Sequence, residues 1–354
     1  MFGRVTDAQL DPILKGVSRS IFLTLQVAPR GMRPSLGVGY LFCRAADTIA
    51  DTRLLSPERR LECLSRFRAQ FEATTPDFDA VRQLSEQVGS PQLIPEEHQL
   101  LLRLSECFQF YLHLTPPDRD RLRRLVTTLT TGMEMDLSYF PSEETGAIKA
   151  LACDSDLDLY TYYVAGCVGE FWTELQVAHV GSLRHWNLEQ RCDQGIRFGK
   201  ALQMTNILRD LDKDLGLGRC YLPQSRLDSV GVTMEELGRG EGRERLRPLL
   251  DFYLRHTLDL YQTAWDYVLA IPRRSLQLRL ACTWPLLIGL RTLDLLATHE
   301  SPYAVGTHHK ITRQETYSLI REATWRGLSN RGLDRLFRRL ILPIETSLTA
   351  PIGS

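Results

Sequence analysis

Residues 203–214 read QMTNILRDLDKD, and this stretch sets two acidic side chains in a helical pattern. Asp210 and Asp214 are four residues apart, so both carboxylates share one helix face. Gln203 and Asn206 extend the same stripe toward the N-terminus. Flanking Leu, Met and Ile residues indicate a largely buried helix. Because polar groups buried without partners are costly, metal, arginine or substrate oxygens are expected beside them, with a structural ion-pair network as the alternative.

A second acidic pair lies far away in the chain, in CRAADTIAD at residues 43–51. Tyr40, Arg44, Asp47 and Asp51 follow each other at helical spacing and form one stripe. Taken alone, this stripe also suits a solvated helix with an Arg–Asp ion pair. Two acidic pairs facing each other would repel unless divalent cations neutralised them. Mg²⁺ suits carboxylate oxygens and completes its shell with substrate phosphates, so the two pairs together indicate diphosphate chemistry.

The composition excludes several classes of protein. The 354 residues include 43 basic and 43 acidic side chains, so no overall basic field is available for nucleic acid. The eight cysteines form no Cys-x-x-Cys pair, which favours reduced thiols of a cytosolic protein over disulfides or zinc. The longest apolar run, residues 280–290, is too short to span a membrane and suits a buried helix. The N-terminus lacks the order of a secretory signal.

Apolar residues recur at spacings of three and four nearly throughout, which predicts an all-α chain. We expect one domain over residues 1–354, because the two acidic stretches must meet; residues 72–98 are expected to be a surface connection. The predicted helices lie near residues 7–27, 34–53, 57–73, 97–114, 118–139, 156–182, 188–215, 248–270, 274–297 and 310–338.

Further candidate residues lie outside the two acidic stripes. Arg19, Arg44 and Arg209 are suited to hold phosphate oxygens, or equally to pair with nearby aspartates. Residues 160–169, YTYYVAGCVG, place aromatic side chains beside two helix-weakening glycines, which indicates close approach of another helix or of a ligand. Residues 218–223, GRCYLP, are typical of a stiff loop over a site. No dinucleotide-binding or Walker loop is present.

Together these motifs resemble those of the squalene/phytoene synthases, the head-to-head prenyl transferases of the class I terpenoid synthase fold. The resemblance runs from Ser18 to about Arg313. It is carried by Ser18-Arg19-Ser20, Asp47 with Asp51, Tyr160-x-x-Tyr163-Val164-Ala165-Gly166, Gln203-x-x-Asn206-x-x-Arg209-Asp210-x-x-x-Asp214 and Gly218-Arg219-x-Tyr221-Leu222-Pro223.

The resemblance implies a helical bundle around a central cavity that binds two prenyl diphosphates. Mg²⁺ would be held by Asp47, Asp51, Asn206, Asp210 and Asp214. The diphosphates would be bound by Arg19, Arg44 and Arg209, with Tyr40 and Gln203 lining the site. Tyr160 matches the tyrosine that the family places near proton removal and cation stabilisation.

Within the family, the resemblance favours a bacterial-type squalene synthase, which couples two farnesyl diphosphates through presqualene diphosphate and reduces the product with NADPH. Lys310 and Arg313 fall where squalene synthases place basic residues near the NADPH phosphate. Phytoene or dehydrosqualene synthase, which need no hydride, is the alternative. An inactive relative that serves as an assembly factor is a further alternative, although the aspartates of both pairs are present. Ala50 and Thr52 depart from the acidic residues of eukaryotic squalene synthases, which indicates fewer direct ligands at the first metal site.

We also expect a cytoplasmic protein that contacts the inner membrane peripherally, through the region 274–297. It is expected to be a monomer or weak oligomer without a nucleic-acid partner.

Overall fold

The computed structural model describes residues 11–17, 25, 27–52, 54–89, 94–140, 146–306 and 309–349. Within these residues nearly all regular structure is helical, so the all-α prediction is confirmed. A π-helical turn covers Tyr162–Gly166, and the strands Lys149–Ala150 and Arg219–Cys220 pair in parallel. The α-helices span Asp11–Val17, Arg33–Asp51, Pro57–Glu72, Phe78–Val88, Pro95–Leu102, Leu104–His113, Pro116–Tyr139, Asp154–Thr161, Cys167–His179, Leu188–Leu215, Gln224–Ser229, Met234–Gly238, Arg247–Ala270, Leu276–Thr298, Arg313–Arg326 and Asn330–Thr349.

Several helix starts follow from local capping. Ser56 accepts a hydrogen bond from the backbone N of Arg59 (3.4 Å), and Pro57 occupies the first helical position, where no N–H is needed. Asp77 in the same way accepts hydrogen bonds from two backbone amides at the start of Phe78–Val88. This last helix lies within residues 72–98. The prediction of a surface connection there is therefore wrong, because a short amphipathic helix buries Val81 and its apolar neighbours.

The helix predicted over residues 310–338 is two helices, Arg313–Arg326 and Asn330–Thr349. The chain turns at Gly327, where an added Cβ would lie 2.5 Å from the Leu276 side chain. This close approach to the start of another helix favours glycine at position 327.

Contacts divide the chain into two compact units, each described by itself. The first comprises Met1–Tyr139 and Glu170–Leu188, and the second comprises Phe140–Gly169 and Glu189–Ser354. We call Arg33–Asp51, in the first unit, the first aspartate helix. We call Leu188–Leu215, which lies in the second unit from Glu189 onward, the second aspartate helix. A single domain over residues 1–354 stays a prediction.

An aromatic cluster forms the core of the first unit. The Phe42 ring, on the first aspartate helix, lies 4.8 Å from the ring centroids of both Phe71 and Phe108. Phe67 and Tyr111 complete the cluster, and all five side chains are buried. Because Phe42 faces this core, residues two positions away on either side lie on the opposite face of the helix.

The core of the second unit surrounds the helix Leu276–Thr298. Most of this helix is buried, although its length and apolar composition would allow it to cross a membrane. The prediction of a buried helix at residues 280–290 is confirmed. Most apolar side chains of that helix pack inside the protein, and the expected membrane contact through residues 274–297 stays a prediction.

Candidate active site

The first aspartate helix presents the predicted stripe on its open side. Tyr40, Arg44 and Asp47 are half-buried and Asp51 is exposed, whereas Phe42 is fully buried. The spacing read from the sequence is therefore confirmed as one continuous face.

Arg44 is held by a residue that the sequence did not single out. Its guanidinium donates a hydrogen bond from Nη2 to Oε1 of Glu97, on the helix Pro95–Leu102. Its Nη1 lies 3.8 Å from Oδ2 of Asp47. Glu97 is only 13% exposed, and its separation from Arg44 by 53 residues leaves no local signal for the pairing. The arginine is thus shared between a largely buried glutamate and the aspartate stripe.

The charge at Asp47 is unfavourable without a cation. Its surroundings raise the pKa of the carboxyl to about 7; burial among protein atoms is the largest cause, and the charge of Asp51 is the second. Arg44 lowers the pKa but does not cancel these effects. The side chain nevertheless remains 44% exposed, so a small ion can reach it. Crowded, reachable carboxylates with excess negative charge fit a hard divalent cation.

Tyr40 is engaged elsewhere. Its hydroxyl donates a hydrogen bond to the backbone oxygen of Val17 (3.0 Å), which ties the first aspartate helix to Asp11–Val17. A role of its ring in lining the substrate site stays a prediction. Arg19, with its neighbours Ser18 and Ser20, lies outside the described residues.

A buried carboxylate fixes the start of the first aspartate helix. Asp118 accepts hydrogen bonds from Ser35 Oγ (2.8 Å) and Arg121 Nη1 (2.7 Å), and its Oδ2 lies 2.9 Å from Nε2 of His179. Burial alone would raise the pKa of Asp118, but the hydrogen bonds from His179 and Ser35 more than offset it, so the pKa is lowered. Asp118 therefore stays ionised and holds three chain segments together.

The second aspartate helix keeps its polar stripe partly open. Gln203, Asn206, Asp210 and Asp214 are half-buried, while Ile207, Leu208 and Leu211 on the same helix are buried. Asn206 Nδ2 donates to Gln203 Oε1 (3.4 Å), and this orientation leaves the Asn206 oxygen as the atom able to meet a cation.

Arg209 forms a fork on the neighbouring carboxylate. Its Nε donates to Oδ1 of Asp210 (2.8 Å) and its Nη2 donates to Oδ2 (2.5 Å). This pairing raises the pKa of Arg209. Two roles were expected of Arg209 from the sequence, as a partner of an aspartate or as a ligand of phosphate. Both roles would use the same N–H donors of the guanidinium. The structure shows the first; the second stays a prediction.

Asp212 was not predicted as part of the site and serves the structure. It lies between Asp210 and Asp214 in sequence and accepts hydrogen bonds from Arg243 and from the backbone N of Gly306 (3.3 Å). The three aspartates at the end of this helix therefore differ in role: Asp210 and Asp214 belong to the predicted stripe, whereas Asp212 binds the segment around residue 306.

The tyrosine segment packs against the second aspartate helix by close backbone contact. A Cβ on Gly169 would lie 1.8 Å from the backbone oxygen of Gly195, and one on Gly199 would lie 2.1 Å from that of Ala165. The contact moves from Ala165 to Gly169 on one helix as it moves from Gly199 to Gly195 on the other, so the two helices are antiparallel. Of the two sequence interpretations, helix packing explains Gly169.

A π-helical turn at Tyr162–Gly166 interrupts the helix predicted over residues 156–182. Such turns are frequent at functional sites. Just before it, the buried Tyr160 ring stacks on Tyr221 at a centroid distance of 4.5 Å, so the structure joins two motifs that are distant in sequence. The loop at residues 218–223 is held by strand pairing with Lys149 and Ala150.

Lys310 and Arg313 are both exposed at the start of Arg313–Arg326. The first turn is capped by Thr312 and Glu315. The contact of these two cations with NADPH stays a prediction.

Among the residues that the structure describes, no three histidine, cysteine, aspartate or glutamate side chains are placed together so that they could hold a metal ion. Each aspartate pair by itself supplies two carboxylates. A complete ligand set therefore needs further oxygens, which bound phosphates supply in many magnesium sites.

Residues 14–315 match the family model described as squalene/phytoene synthase. The chain belongs to the squalene/phytoene synthase family. It is 24% identical over 337 residues to a squalene synthase of Cyberlindnera jadinii, covering 94% of this chain and 70% of that one. It is 29% identical over 224 residues to a presqualene diphosphate synthase of Zymomonas mobilis, covering 62% of this chain and 60% of that one, so it spans less than two thirds of this relative.

The fold is that of the solved squalene synthases. A structure of TcSQS with the ligand E5700 superposes with a TM-score of 0.70 at 22% identity, covering 96% of this chain and 99% of that one. The predicted terpenoid synthase fold is therefore confirmed. Family membership also supports an enzyme of the head-to-head prenyl synthase type.

Proposed function

We propose that this family member couples two prenyl diphosphates head to head in a magnesium-dependent reaction. The observation that carries the proposal is the Asp47–Asp51 pair. Arg44 is the one cation that the described structure shows beside this pair, and its charge is shared with Glu97, so negative charge remains in excess. The pair matches the first acidic motif in the family resemblance described above. A cation is the partner that such a pair lacks.

Five side chains would hold Mg²⁺: Asp47, Asp51, Asn206, Asp210 and Asp214. The ions would neutralise the diphosphate and assist its departure. Arg44 and Arg209, with Arg19, would bind diphosphate oxygens, while Tyr40 and Gln203 would line the site. Glu97 would keep the Arg44 guanidinium aimed along the stripe. Apolar helix faces would exclude water from the carbocation.

We propose farnesyl diphosphate as the substrate and squalene as the product. In the first half-reaction, one diphosphate leaves as a carbon–carbon bond forms, and a proton is lost as the cyclopropane of presqualene diphosphate closes; Tyr160 would lie near this step. In the second, Lys310 and Arg313 would hold NADPH, which would supply the hydride needed when the remaining diphosphate leaves. The relatives described as squalene synthase and presqualene diphosphate synthase support squalene and presqualene diphosphate as the products.

Two alternatives use the same site. Phytoene or dehydrosqualene synthase would need no hydride, and the family's description includes phytoene synthases. An enzyme that stops at presqualene diphosphate is supported by the Zymomonas mobilis relative. We further propose a cytoplasmic protein, monomeric or weakly oligomeric, that works at the inner face of the membrane.

One experiment separates these possibilities. The pure protein is incubated with C15 or C20 diphosphate, with and without Mg²⁺ and NADPH, and products are identified by mass spectrometry. Squalene formed from C15 only with both additions supports the proposal. A cyclopropyl diphosphate that persists with NADPH indicates an enzyme that stops at presqualene diphosphate. A hydrocarbon product that is the same with and without NADPH indicates the phytoene or dehydrosqualene type. No diphosphate release under any condition would indicate the inactive assembly factor.

A further inference from the structure

The second unit carries an exposed apolar stripe on the helix Arg313–Arg326. Tyr317 is 65% exposed, Trp325 is 90% exposed and Leu328, just beyond the helix, is 60% exposed. With Arg321 between them, these residues follow each other at spacings of four, four and three, so they share one face. Single exposed apolar side chains are common, but several on one helix face, a tryptophan among them, indicate an interaction surface.

This stripe borders an open recess of about 550 Å³, lined by Arg321, Thr324, Trp325 and Leu328. The opposite face of the helix packs firmly, since Leu319 and Ala323 are buried and Gly327 fits closely against Leu276. The exposed aromatic side chains therefore stand on a fixed element. We call Tyr317, Arg321, Trp325 and Leu328 the tryptophan face.

The surroundings of the tryptophan face are basic. Residues 313–349 contain seven arginines against four acidic side chains, in a chain whose formal net charge is zero. Three of the four acids already have arginine partners: Glu315 with Arg291, Glu322 with Arg326 and Arg339, and Asp334 with Arg338.

Arg321 is different from these paired arginines. It is exposed, lines the recess and makes no ion pair with any side chain that the structure describes. Arg331, at the start of the next helix, is likewise exposed and without an ion pair among the described residues. Uncompensated positive charge thus lies directly beside the exposed indole and leucine.

We propose that the tryptophan face docks the protein on a lipid bilayer that contains anionic headgroups. Tryptophan and tyrosine favour the membrane–water interface, where the ring is partly apolar and its polar edge meets water. Arginine on the same face is attracted to the negative surface of an anionic leaflet, which adds about 1 kcal/mol per cationic side chain. The positive charge of the tryptophan face is therefore complementary to an anionic bilayer.

A second copy of the chain matches less well. A two-fold symmetric contact places the same patch on both partners, so Arg321 and Arg331 would face arginines again. From the sequence, the membrane contact was expected in residues 274–297, but the helix Leu276–Thr298 is largely buried. The tryptophan face is an exposed surface on the same unit.

The test is a vesicle flotation assay on the full chain, with phosphatidylcholine vesicles alone or with about 30% phosphatidylglycerol. The variants are Trp325→Ala with Leu328→Ala, and Arg321→Glu. The matched controls are Leu102→Ala, an apolar residue 50% exposed on the first unit, and the exposed Arg82→Glu. Circular dichroism establishes that each variant is folded.

We expect the wild-type chain and both controls to float with anionic vesicles at least about tenfold better than with neutral ones, and less well at high salt. Both tryptophan-face variants should lose at least about fivefold in anionic-vesicle binding. Their turnover of detergent-dispersed substrate should be unchanged, which separates this surface from the reaction proposed above. Vesicle binding that is equal in wild type and variants overturns the proposal. So does a dimer in sedimentation that Trp325→Ala dissolves, since the occupant would then be a second copy.

Discussion

Glu97 accepts a hydrogen bond from Arg44 across 53 residues of sequence, and Arg44 in turn approaches Asp47. The glutamate is largely buried and the arginine is half-buried, so the pair fixes one side of the aspartate stripe. An arginine held in this way keeps a defined direction when it meets a phosphate, and less conformational freedom is lost on binding.

Glu97→Gln should lower kcat/KM for diphosphate release on the order of tenfold, because the neutral amide holds Arg44 less firmly. The measurement is steady-state release of diphosphate from the prenyl substrate. Glu96→Gln, an exposed neighbour on the same helix, is the control and should behave as wild type. Equal rates for wild type and Glu97→Gln would exclude a positioning role.

Asp47→Asn and Asp210→Asn should each lower kcat by about a thousandfold or more, while the helical circular dichroism spectrum is retained. Each change removes a charge from a proposed magnesium ligand set, so magnesium should also stabilise the variants less than the wild type. Asp228→Asn, an exposed aspartate of the second unit, is the control. Near-normal turnover of either variant would contradict the metal assignment.

Asp118→Asn should destabilise the first unit by about 3 kcal/mol at pH 7, because a buried, hydrogen-bonded charge is lost beside Arg121 and His179. Glu174 also lies near this cluster, 3.8 Å from Arg121, and it pairs with Arg124 at 2.7 Å. The folded pKa of Asp118 is lowered, so its stabilisation is complete above the usual carboxyl value and is lost as the pH falls through the lowered one.

The measurement for Asp118 is urea denaturation at several pH values between 7 and 3. The difference between wild type and Asp118→Asn should shrink toward acid pH. Asp79→Asn, in an exposed ion pair, should change stability by less than about 1 kcal/mol throughout. A difference for Asp118→Asn that stays constant with pH would show that its charge is not the source.

Gly169→Ala should destabilise the protein by more than about 2 kcal/mol, although alanine favours a helix over glycine by about 1 kcal/mol. The added Cβ would collide with the backbone oxygen of Gly195, which cannot move aside as a side chain does. Gly181→Ala, where nothing lies within 4 Å of the new Cβ, is the control. If the melting temperature of Gly169→Ala equals that of the wild type, the two helices can move apart with no loss of stability, which would contradict the prediction.

The sequence predicted those features that depend on local spacing. The stripes on both aspartate helices are confirmed because positions three and four apart share a face in any regular helix. The helix starts predicted near residues 57 and 118 are confirmed to within two residues, because the signals for a helix start, such as proline in the first turn, are local. The helix Phe78–Val88 was missed because a segment rich in proline, serine, threonine and acids conceals a short apolar repeat.

The sequence by itself determined the helical class, the faces of the aspartate helices and the family, because periodicity and motif spacing are properties of neighbouring residues. The tertiary structure decided that Glu97 holds Arg44, that Gly169 meets a backbone oxygen and that the chain turns at Gly327. It also decided that the most apolar helix is interior while Trp325 is exposed. Each of these depends on residues that are distant in sequence, and only packing of the folded chain brings such residues together or separates them.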